Sequence, residues 1–331
     1  MNIQTIRIAA LCLAQFALTS QVHSAELTLP QDGWASWQVE AVEGAPAFCC
    51  WSSWEVRDAA RMSCQLDREP SSFGTRDHET TDAVRVYART AGGKVERLRV
   101  LSATCQVEAK MPIRDLGSVV TDDSARWLIT LSKASTGAAT SHDLGENVLA
   151  AIAMHRGDLA HNALAAFARE EGSAETRKKA VFWLALLRGA AGADIATAVM
   201  FNDKDAEVRK HGAFAITQSK SPRVAADLIR LGNTDKDGDV RAQAWFWLAH
   251  TGAAESENAI AAALRKDSDD HVREQAIFAL SRLPEERATR ALIAAAEDRS
   301  LSREQRKRAV FWLAQSESQG AQTYLEKVLA R

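Results

Sequence analysis

From residue 145 onward, hydrophobic positions recur at helical spacing, and the pattern as a whole repeats along the chain. The segments KKAVFWLALL, AQAWFWLAH and RAVFWLAQS share a Phe-Trp-Leu core. An arginine marks the same place in five units, and these arginines lie 32, 32, 32 and 33 residues apart: Arg177, Arg209, Arg241, Arg273 and Arg306. A fixed interval of this kind indicates a repeat architecture.

Each unit carries a capping residue and a phenylalanine at fixed distances from its arginine. Four positions before it stand residues that can accept hydrogen bonds at a helix start: Ser173, Asp205, Asp237, Asp269 and Ser302. Five positions after it stand Phe182, Phe214, Phe246, Phe278 and Phe311. A second apolar stretch follows in each unit, so every unit predicts two helices, and residues 146–170 have the right length for a sixth pair. We therefore predict a mainly α fold, a right-handed α-solenoid of about six helical hairpins over residues 145–331.

Before residue 110 the hydrophobic pattern has the shorter period of strands. The runs DAVRVYART and KVERLRVLSA are separated by AGG, which predicts a hairpin. WASWQVEAV and SCQLD also alternate, whereas REPSSFGTRDHETTD at 68–82 has the composition of a surface loop. We expect a small β-rich module over residues 26–110, then a helix near 122–133 and a linker within 111–144.

The first 25 residues have the shape of a secretory signal peptide. Arg7 precedes an apolar run of about eleven residues, IAALCLAQFAL, and small residues follow it. Cleavage after Ala25 and cleavage after Ser24 are both compatible with the pattern, and a retained signal anchor is a further alternative. We expect a soluble periplasmic or secreted protein that touches the membrane only through this segment before cleavage.

Four cysteines lie in the β-rich module: Cys49, Cys50, Cys64 and Cys105. Disulfides persist in exported proteins, so two bridges are expected. Because adjacent cysteines rarely bond to each other, Cys49 and Cys50 should take Cys64 and Cys105 as partners, in either of two arrangements. A zinc site is the alternative, but the spaced C-x2-C pairs that such sites use are absent from the sequence.

Composition and charge limit the kinds of partner. The chain is 46% hydrophobic and 25% charged, which suits a folded globular protein. Its net charge of −2 lacks the broad positive potential that sequence-independent nucleic-acid binding requires. We expect no nucleic-acid partner.

Three units carry an Asp-x-x-Val-Arg start most clearly: DAEVRKHGAFAI, DGDVRAQAWFWL and DDHVREQAIFAL. This motif resembles HEAT repeats, in the short form also called HEAT-like or PBS-lyase-like repeats, with Gly212 in place of the usual alanine in the first. The chain is also similar to exported bacterial HEAT-repeat domain-containing proteins. The resemblance implies a scaffold for protein–protein contact.

Tryptophan follows the phenylalanine only in alternate units, as Trp183, Trp247 and Trp312. One interpretation is that large and small residues interdigitate between neighbouring units. The other is that these tryptophans are partly exposed and mark a partner-binding groove, since aromatic residues dominate interface energetics. We treat all three as candidate partner-binding residues.

No pattern in the sequence predicts a catalytic, cofactor or metal site. The histidines at 155, 161, 211, 250 and 271 fall at different places within the units, so we interpret them as surface residues. The repeat arginines are expected to pair with Asp203, Asp235 and similar carboxylates along the stack, as structural anchors rather than phosphate ligands.

These observations favour a non-enzymatic exported scaffold or adaptor. Its concave face, which we expect the second helices to line, would bind a protein or peptide. Two alternatives are an accessory subunit of an envelope enzyme or sensing system, and a thiol-redox protein that uses Cys49 and Cys50.

Overall fold

The computed structural model describes residues 27–51, 63–68, 72–135, 142–169 and 173–330, and the predicted signal peptide lies outside them. The described residues form eight strands followed by thirteen helices. The prediction of a mainly α fold with a small β-rich N-terminal region is therefore confirmed. Among the described helices, none is both long enough and apolar enough to cross a membrane.

The strands are β1 (Gly33–Glu40), β2 (Pro46–Trp51), β3 (Cys64–Gln65), β4 (Ser72–Thr80), β5 (Ala83–Ala91), β6 (Lys94–Ser102), β7 (Val107–Glu108) and β8 (Ile113–Ser118). The main sheet has four strands in the order β6-β5-β1-β8, in which β1 is antiparallel to β5 and parallel to β8. β2 and β4 form an antiparallel ribbon, and β3 and β7 form a short parallel pair.

β5 and β6 form the predicted hairpin. Ala91 pairs with Lys94, which leaves Gly92 and Gly93 in the turn with φ angles of +56° and +74°. Two-residue hairpin turns often need positive φ at both positions, and glycine adopts such angles without steric strain.

Two expectations about this region need correction. The segment at 68–82 is not simply a loop, because its residues 72–80 form β4 and pair with β2. This pairing overrides the weak strand propensity of a segment rich in polar residues. β8 lies beyond residue 110 and pairs with β1, so the β region extends to Ser118.

The helices are α1 (Thr121–Ser135), α2 (His142–Met154), α3 (Asp158–Arg169), α4 (Ala174–Leu187), α5 (Gly189–Asn202), α6 (Ala206–Thr217), α7 (Val224–Thr234), α8 (Gly238–His250), α9 (Ser256–Lys266), α10 (Asp270–Leu280), α11 (Glu285–Glu297), α12 (Arg303–Ala314) and α13 (Gln319–Leu329). Helices α2 to α13 make six hairpins, and α2 begins inside the segment expected to be a linker. We call α4, α6, α8, α10 and α12 the first helices, and their hairpin partners the second helices.

Every first helix begins at the capping residue that its sequence predicts. The side chains of these residues accept backbone hydrogen bonds from the first turn: Ser173, Asp205, Asp237, Asp269 and Ser302. Ser302 and Gln305 form a complete capping box. Because all five first helices begin at the same position of the repeat, equivalent side chains of each face the neighbouring units.

Small residues stand where helices approach closely. A Cβ atom on Gly212 of α6 would lie 2.8 Å from the Cβ of Met200 in α5. A Cβ atom on Gly232 of α7 would lie 2.5 Å from the ring of Trp245 in α8. Even alanine would therefore be too large at either position unless the neighbouring helix moved away.

Neighbouring first helices contact one another more extensively than neighbouring second helices do. The inner side of a curved stack is the side with the closer spacing, so the first helices line the concave face. The expectation that the second helices line it is wrong. Flat rings that stack between first helices, described below, allow this close spacing.

The β region and the helical array share one hydrophobic core. Strand residues Val86 and Leu98 belong to the same buried cluster as Leu149 and Ile152 of α2. The sheet therefore covers the N-terminal end of the array, and the described residues of both parts belong to one buried cluster.

Candidate protein-binding groove

The three candidate tryptophans lie half-buried on the concave face. The ring centroid of Trp247 is 4.8 Å from that of Phe214, and the ring centroid of Trp312 is 5.0 Å from that of Phe278. In both cases the phenylalanine belongs to the preceding unit. The tryptophans thus interdigitate between units while part of their surface stays open.

Phenylalanine rings continue this contact from unit to unit. Phe182 stacks on Phe214 with centroids 5.8 Å apart and an interplanar angle of 12°, and Phe246 and Phe278 show the same values. Each tryptophan also contacts the phenylalanine before it edge to face. We call the connected rings the aromatic row: Phe182, Trp183, Phe214, Phe246, Trp247, Phe278, Phe311 and Trp312.

The alternation of tryptophan and alanine follows from this packing. Ala215 and Ala279 occupy the tryptophan position in the intervening units, and both are fully buried. A small residue there leaves room for the indole of the following unit to lie against the phenylalanine. Two tryptophans in successive units would compete for that space.

Two adjoining depressions lie along the aromatic row. One, of about 450 Å³, is lined by residues that include Lys178, His211 and Trp247. The other, of about 470 Å³, is lined by residues that include Phe246 and Phe278. Both depressions are also lined by Lys210 and Gln243, so together they form one groove across successive first helices. We call it the first-helix groove.

Polar and charged side chains along the groove are largely paired. Lys210 Nζ lies 2.6 Å from Glu207 Oε1, and this hydrogen bond raises the pKa of Lys210. His271 Nε2 lies 3.2 Å from Asp239 Oδ1. Further along, the guanidinium of Arg282 lies over the Phe278 ring, 4.6 Å from its centroid. The groove therefore combines apolar rings with charges of both signs.

Two polar atoms of groove residues lack partners. Nε1 of Trp247 and Nε2 of His211 are shielded from solvent and have no hydrogen-bond partner among the residues that the structure describes. Burial lowers the pKa of His211, and the charge of Lys178 lowers it further, which favours the neutral imidazole. An unpaired buried polar group costs about 1–3 kcal/mol.

Three of the repeat arginines form ion pairs that join neighbouring units. Arg177, Arg209 and Arg241 bind the aspartate 26 positions further on through Nε and Nη2, at distances from 2.7 to 3.0 Å. These aspartates are Asp203, Asp235 and Asp267. Each also accepts a backbone N–H from the turn before the next first helix. The pairs therefore fix the register between units.

The other two arginines make different contacts. The unit after Arg273 is one residue longer, so the residue 26 positions beyond it is Arg299. Asp298 is bound by Arg265 instead, and Arg273 pairs with Asp270. Arg306 donates through Nη1 to the carbonyl oxygen of Leu301.

The structure pairs Cys49 with Cys105 and Cys50 with Cys64, with Cα separations of 5.7 and 5.1 Å. This is one of the two arrangements that the sequence left open. All four cysteines are buried in a small second core with Trp34, Leu66, Tyr87 and Leu101. Such burial suits a structural role.

The interpretation of His155 as a surface residue is wrong, because it is fully buried where the sheet meets the helices. Trp37 Nε1 donates to Ser124 Oγ at 2.7 Å, and Ser124 Oγ lies 2.8 Å from His155 Nε2. The other ring nitrogen, Nδ1, lies 2.6 Å from the carbonyl oxygen of Ala151. Because a carbonyl only accepts, Nδ1 carries the proton and Nε2 accepts from Ser124. Burial lowers the pKa of His155 to about 4, so the ring is neutral.

Arg188, at the end of α4, also contacts this cluster, which we call the joint between the sheet and the helices. Its Nη2 donates to the carbonyl oxygens of Ile152 and His155, at 2.9 and 2.7 Å, and so satisfies groups at the end of α2. Burial lowers the pKa of Arg188 to about 10. Sequence reasoning missed this cluster because its members come from four separate segments of the chain.

No metal-binding cluster is evident within the described part of the chain. No group of three or more His, Cys, Asp or Glu side chains lies close enough there to hold a metal ion.

Comparisons with known proteins find a repeat family in the helical array. A family model for HEAT repeats matches residues 162–246 and 233–314. Human deoxyhypusine hydroxylase in complex with glycerol is similar at 18% identity and a TM-score of 0.31, over 63% of this chain and 81% of that one. The Escherichia coli protein YibA is similar at 18% identity and a TM-score of 0.38, over 63% of this chain and 80% of that one. No curated protein gives a significant match. The family model thus identifies HEAT repeats over residues 162–314 of the helical array.

Proposed function

We propose that this protein is an exported, non-enzymatic scaffold or adaptor that binds a protein or peptide along the first-helix groove. The observation that carries the proposal is the aromatic row beside two joined depressions. Aromatic side chains supply much of the binding energy in interfaces. Their packing between units already orders these rings, so little side-chain entropy is lost when a partner binds.

The polar atoms of the groove favour a peptide-like partner. Trp247 Nε1 can only donate a hydrogen bond, whereas Nε2 of the neutral His211 ring accepts one when Nδ1 carries the proton. A peptide backbone presents both a carbonyl oxygen and an N–H group. Such a partner could satisfy both atoms once small shifts of the surrounding side chains open access to them.

Export to an oxidising compartment belongs to the same proposal. The signal-like N-terminal segment supports it, and so do two buried disulfides, since such bonds persist outside the cytosol. A role as an accessory subunit of an envelope enzyme would use the same groove, with the enzyme as the bound partner. The burial of Cys49 and Cys50 supports structural bridges over redox cycling.

The groove can be tested in the full-length protein with a photo-crosslinking amino acid at position 243, on the groove floor. The matched control places the same amino acid at position 266, an exposed site on the second-helix side. We expect crosslinked protein or peptide from position 243 and none from position 266 after irradiation of intact cell envelopes. Equal crosslinking at both positions would contradict the proposal.

A charge reversal supplies the second half of this test. Lys210→Glu changes the groove, and Lys266→Glu makes the same change on the opposite layer. We expect Lys210→Glu to reduce crosslinking from position 243 about tenfold, as is typical for a residue inside an interface. Lys266→Glu should have no effect. Both variants should keep the melting temperature of the parent within a few degrees, as surface substitutions usually do.

A further inference from the structure

The two depressions of the first-helix groove occupy equivalent positions in successive units. We call the one that Trp247 lines the Trp247 depression and the other the Phe246 depression. Six of the seven residues that line the Trp247 depression have a counterpart 32 positions further on that lines the Phe246 depression. These counterparts are Lys210, Asp239, Ala242, Gln243, Phe246 and Gln275. The depressions are therefore one repeat apart, and the groove has the period of the stack.

This period sets the spacing that a ligand must match. Phe246 of α8 stacks on Phe278 of α10 with ring centroids 5.8 Å apart, so these first helices pack directly against each other. Helices in direct contact have axes about 8–10 Å apart. A ligand that fills both depressions must therefore carry equivalent groups at this spacing.

Among extended peptide conformations, polyproline II matches this spacing. It has three residues per turn and a rise of about 3.1 Å per residue, so every third side chain returns to the same face after about 9.3 Å. Side chains on one face of a β-strand lie about 6.8 Å apart, which is too short, and the next equivalent one lies about 13.6 Å away. A peptide in polyproline II can therefore place one side chain in each depression.

Unpaired polar atoms distinguish polyproline II from an α-helix. Residues seven apart in a helix are separated by about 10.5 Å, close to the groove period, but a helix bonds its backbone groups internally. Polyproline II has no internal hydrogen bonds, so its backbone groups can bind other partners. Trp247 Nε1 and His211 Nε2, both in the Trp247 depression, have no hydrogen-bond partner among the described residues. Of the two conformations, only polyproline II offers these atoms backbone partners.

The side chains of the groove favour proline and an absence of charge in the ligand. Both depressions are lined by aromatic rings, and proline-rich segments dock in aromatic-lined grooves because their conformation is already restricted before binding. The two lysines of the groove are each paired with the glutamate three residues earlier. Lys178 Nζ lies 2.7 Å from Glu175 Oε2, and Lys210 Nζ lies 2.6 Å from Glu207 Oε1. These lysines therefore leave little uncompensated charge to select an acidic ligand.

We propose that the first-helix groove binds an uncharged segment of a partner protein that has proline at every third position and adopts polyproline II. Successive prolines fill the Trp247 and Phe246 depressions. A backbone carbonyl of the segment accepts a hydrogen bond from Trp247 Nε1 once the shielding side chains move aside. Because proline has no N–H, a residue between the prolines donates to His211 Nε2. This assignment of the ligand rests on the function proposed for the groove.

Two synthetic peptides test the spacing with the full-length protein. The probe is a fluorescent peptide of five Pro-Gln-Ala triplets. The control peptide contains the same residues, but its prolines are alternately two and four positions apart, so no two prolines are three positions apart. Fluorescence anisotropy measures the Kd of each. We expect the probe to bind about tenfold more tightly, because it alone fills both depressions and so buries one more apolar side chain.

The variant Trp247→Phe tests the hydrogen bond, since it keeps an aromatic ring and removes Nε1. We expect it to bind the probe about fivefold more weakly, as for the loss of one hydrogen bond. Trp183→Phe is the matched control, because Trp183 lies on the first helix α4 and lines neither depression. It should leave the affinity for the probe unchanged. Circular dichroism at 222 nm checks that both variants are folded.

Three results would overturn the proposal. One is the absence of saturable binding by the probe, and another is equal affinity for the probe and the control peptide. The third is an unchanged affinity for the probe in Trp247→Phe. Crosslinking from position 243 tests the groove itself. If that crosslinking succeeds while the probe fails to bind, the function proposed for the groove stands and only the ligand assigned to it is wrong.

Discussion

The β region and the solenoid are stabilised by contacts of very different sequence range. In the solenoid, the anchor ion pairs join residues 26 positions apart, and the same contact recurs in successive units. In the β region, Cys49 bonds to Cys105 across 56 positions, and β1 pairs with β8 near the end of the region. The solenoid is held by one kind of short-range contact that recurs in successive units. The β region depends on several different long-range contacts.

The two regions also depend on different chemistry. The β region has two covalent bridges in a small core of its own, so a reductant should weaken it first. The solenoid has no disulfide among its described residues, and its units are joined by buried ion pairs and stacked rings. Loss of the disulfides should therefore destabilise mainly the β region, and loss of the ion pairs should destabilise mainly the solenoid.

The largest expected effect is the loss of the longer disulfide. Replacing Cys49 and Cys105 together by serine frees a loop of 56 residues in the unfolded chain. Loop-closure entropy then predicts a loss of about 4 kcal/mol in the free energy of unfolding of the β region. Urea titration, followed by near-ultraviolet circular dichroism with Trp34 in this core as a reporter, would measure it.

The solenoid provides the control for that experiment. Its helical signal at 222 nm should unfold at nearly the same urea concentration in the variant and the parent. Replacing Cys50 and Cys64 by serine opens a loop of only 14 residues and should cost less, about 3 kcal/mol. If the near-ultraviolet signal and the 222 nm signal shifted to lower urea concentration by the same amount, the two regions would unfold as one unit.

The corresponding change in the solenoid is Arg209→Ala. The side chains of Arg209 and Asp235 are each only 4% exposed, so the substitution leaves a buried carboxylate without its partner. Although burial alone would raise the pKa of Asp235, Arg209 and the Asp237 backbone N–H hold it below its ordinary value. Removing one member of a buried pair costs about 3 kcal/mol, which thermal or urea unfolding at 222 nm would detect.

Two further variants separate charge from packing. Arg265→Ala removes a partly exposed pair with Asp298 and should leave the unfolding free energy nearly unchanged. The double variant Arg209→Met with Asp235→Leu removes both charges and should recover most of the loss. A double variant as unstable as Arg209→Ala would show that geometry of the hydrogen bonds, and not an unpaired charge, holds the register.

The solenoid was predictable because its signals lie close together in sequence. Capping residues, anchor arginines and phenylalanines define each first helix within about a dozen residues, and the structure follows them. β4 and β8 have weak local patterns and exist because distant partners, β2 and β1, pair with them. The local sequence pattern does not predict pairing with such distant strands, since strand propensity depends on context.

The site was predictable only in part, for a related reason. The repeat positions of Trp183, Trp247 and Trp312 assigned these residues to first helices, but which layer lines the concave face depends on spacing between units. The buried contacts of His155 with Ser124 and Ala151 bring together segments that share no sequence pattern. A histidine at the end of an apolar stretch was the one available signal.

The joint between the two regions should be sensitive to acid. His155 has a pKa of about 4 in the folded protein, against an ordinary value of 6.5, because burial disfavours its charged form. Its contribution to the free energy of unfolding is therefore full above pH 6.5 and is lost as the pH falls toward 4, and at pH 5 the loss is about 2 kcal/mol.

Urea unfolding at pH 7 and pH 5 measures this loss. The variant His155→Gln does not titrate at this position, so its free energy of unfolding should fall by about 2 kcal/mol less than that of the parent. Carboxylates with lowered pKa values, such as Asp203 and Asp267, titrate below this window. Parallel pH profiles for the parent and His155→Gln would mean that the joint opens to water before the histidine takes up its proton.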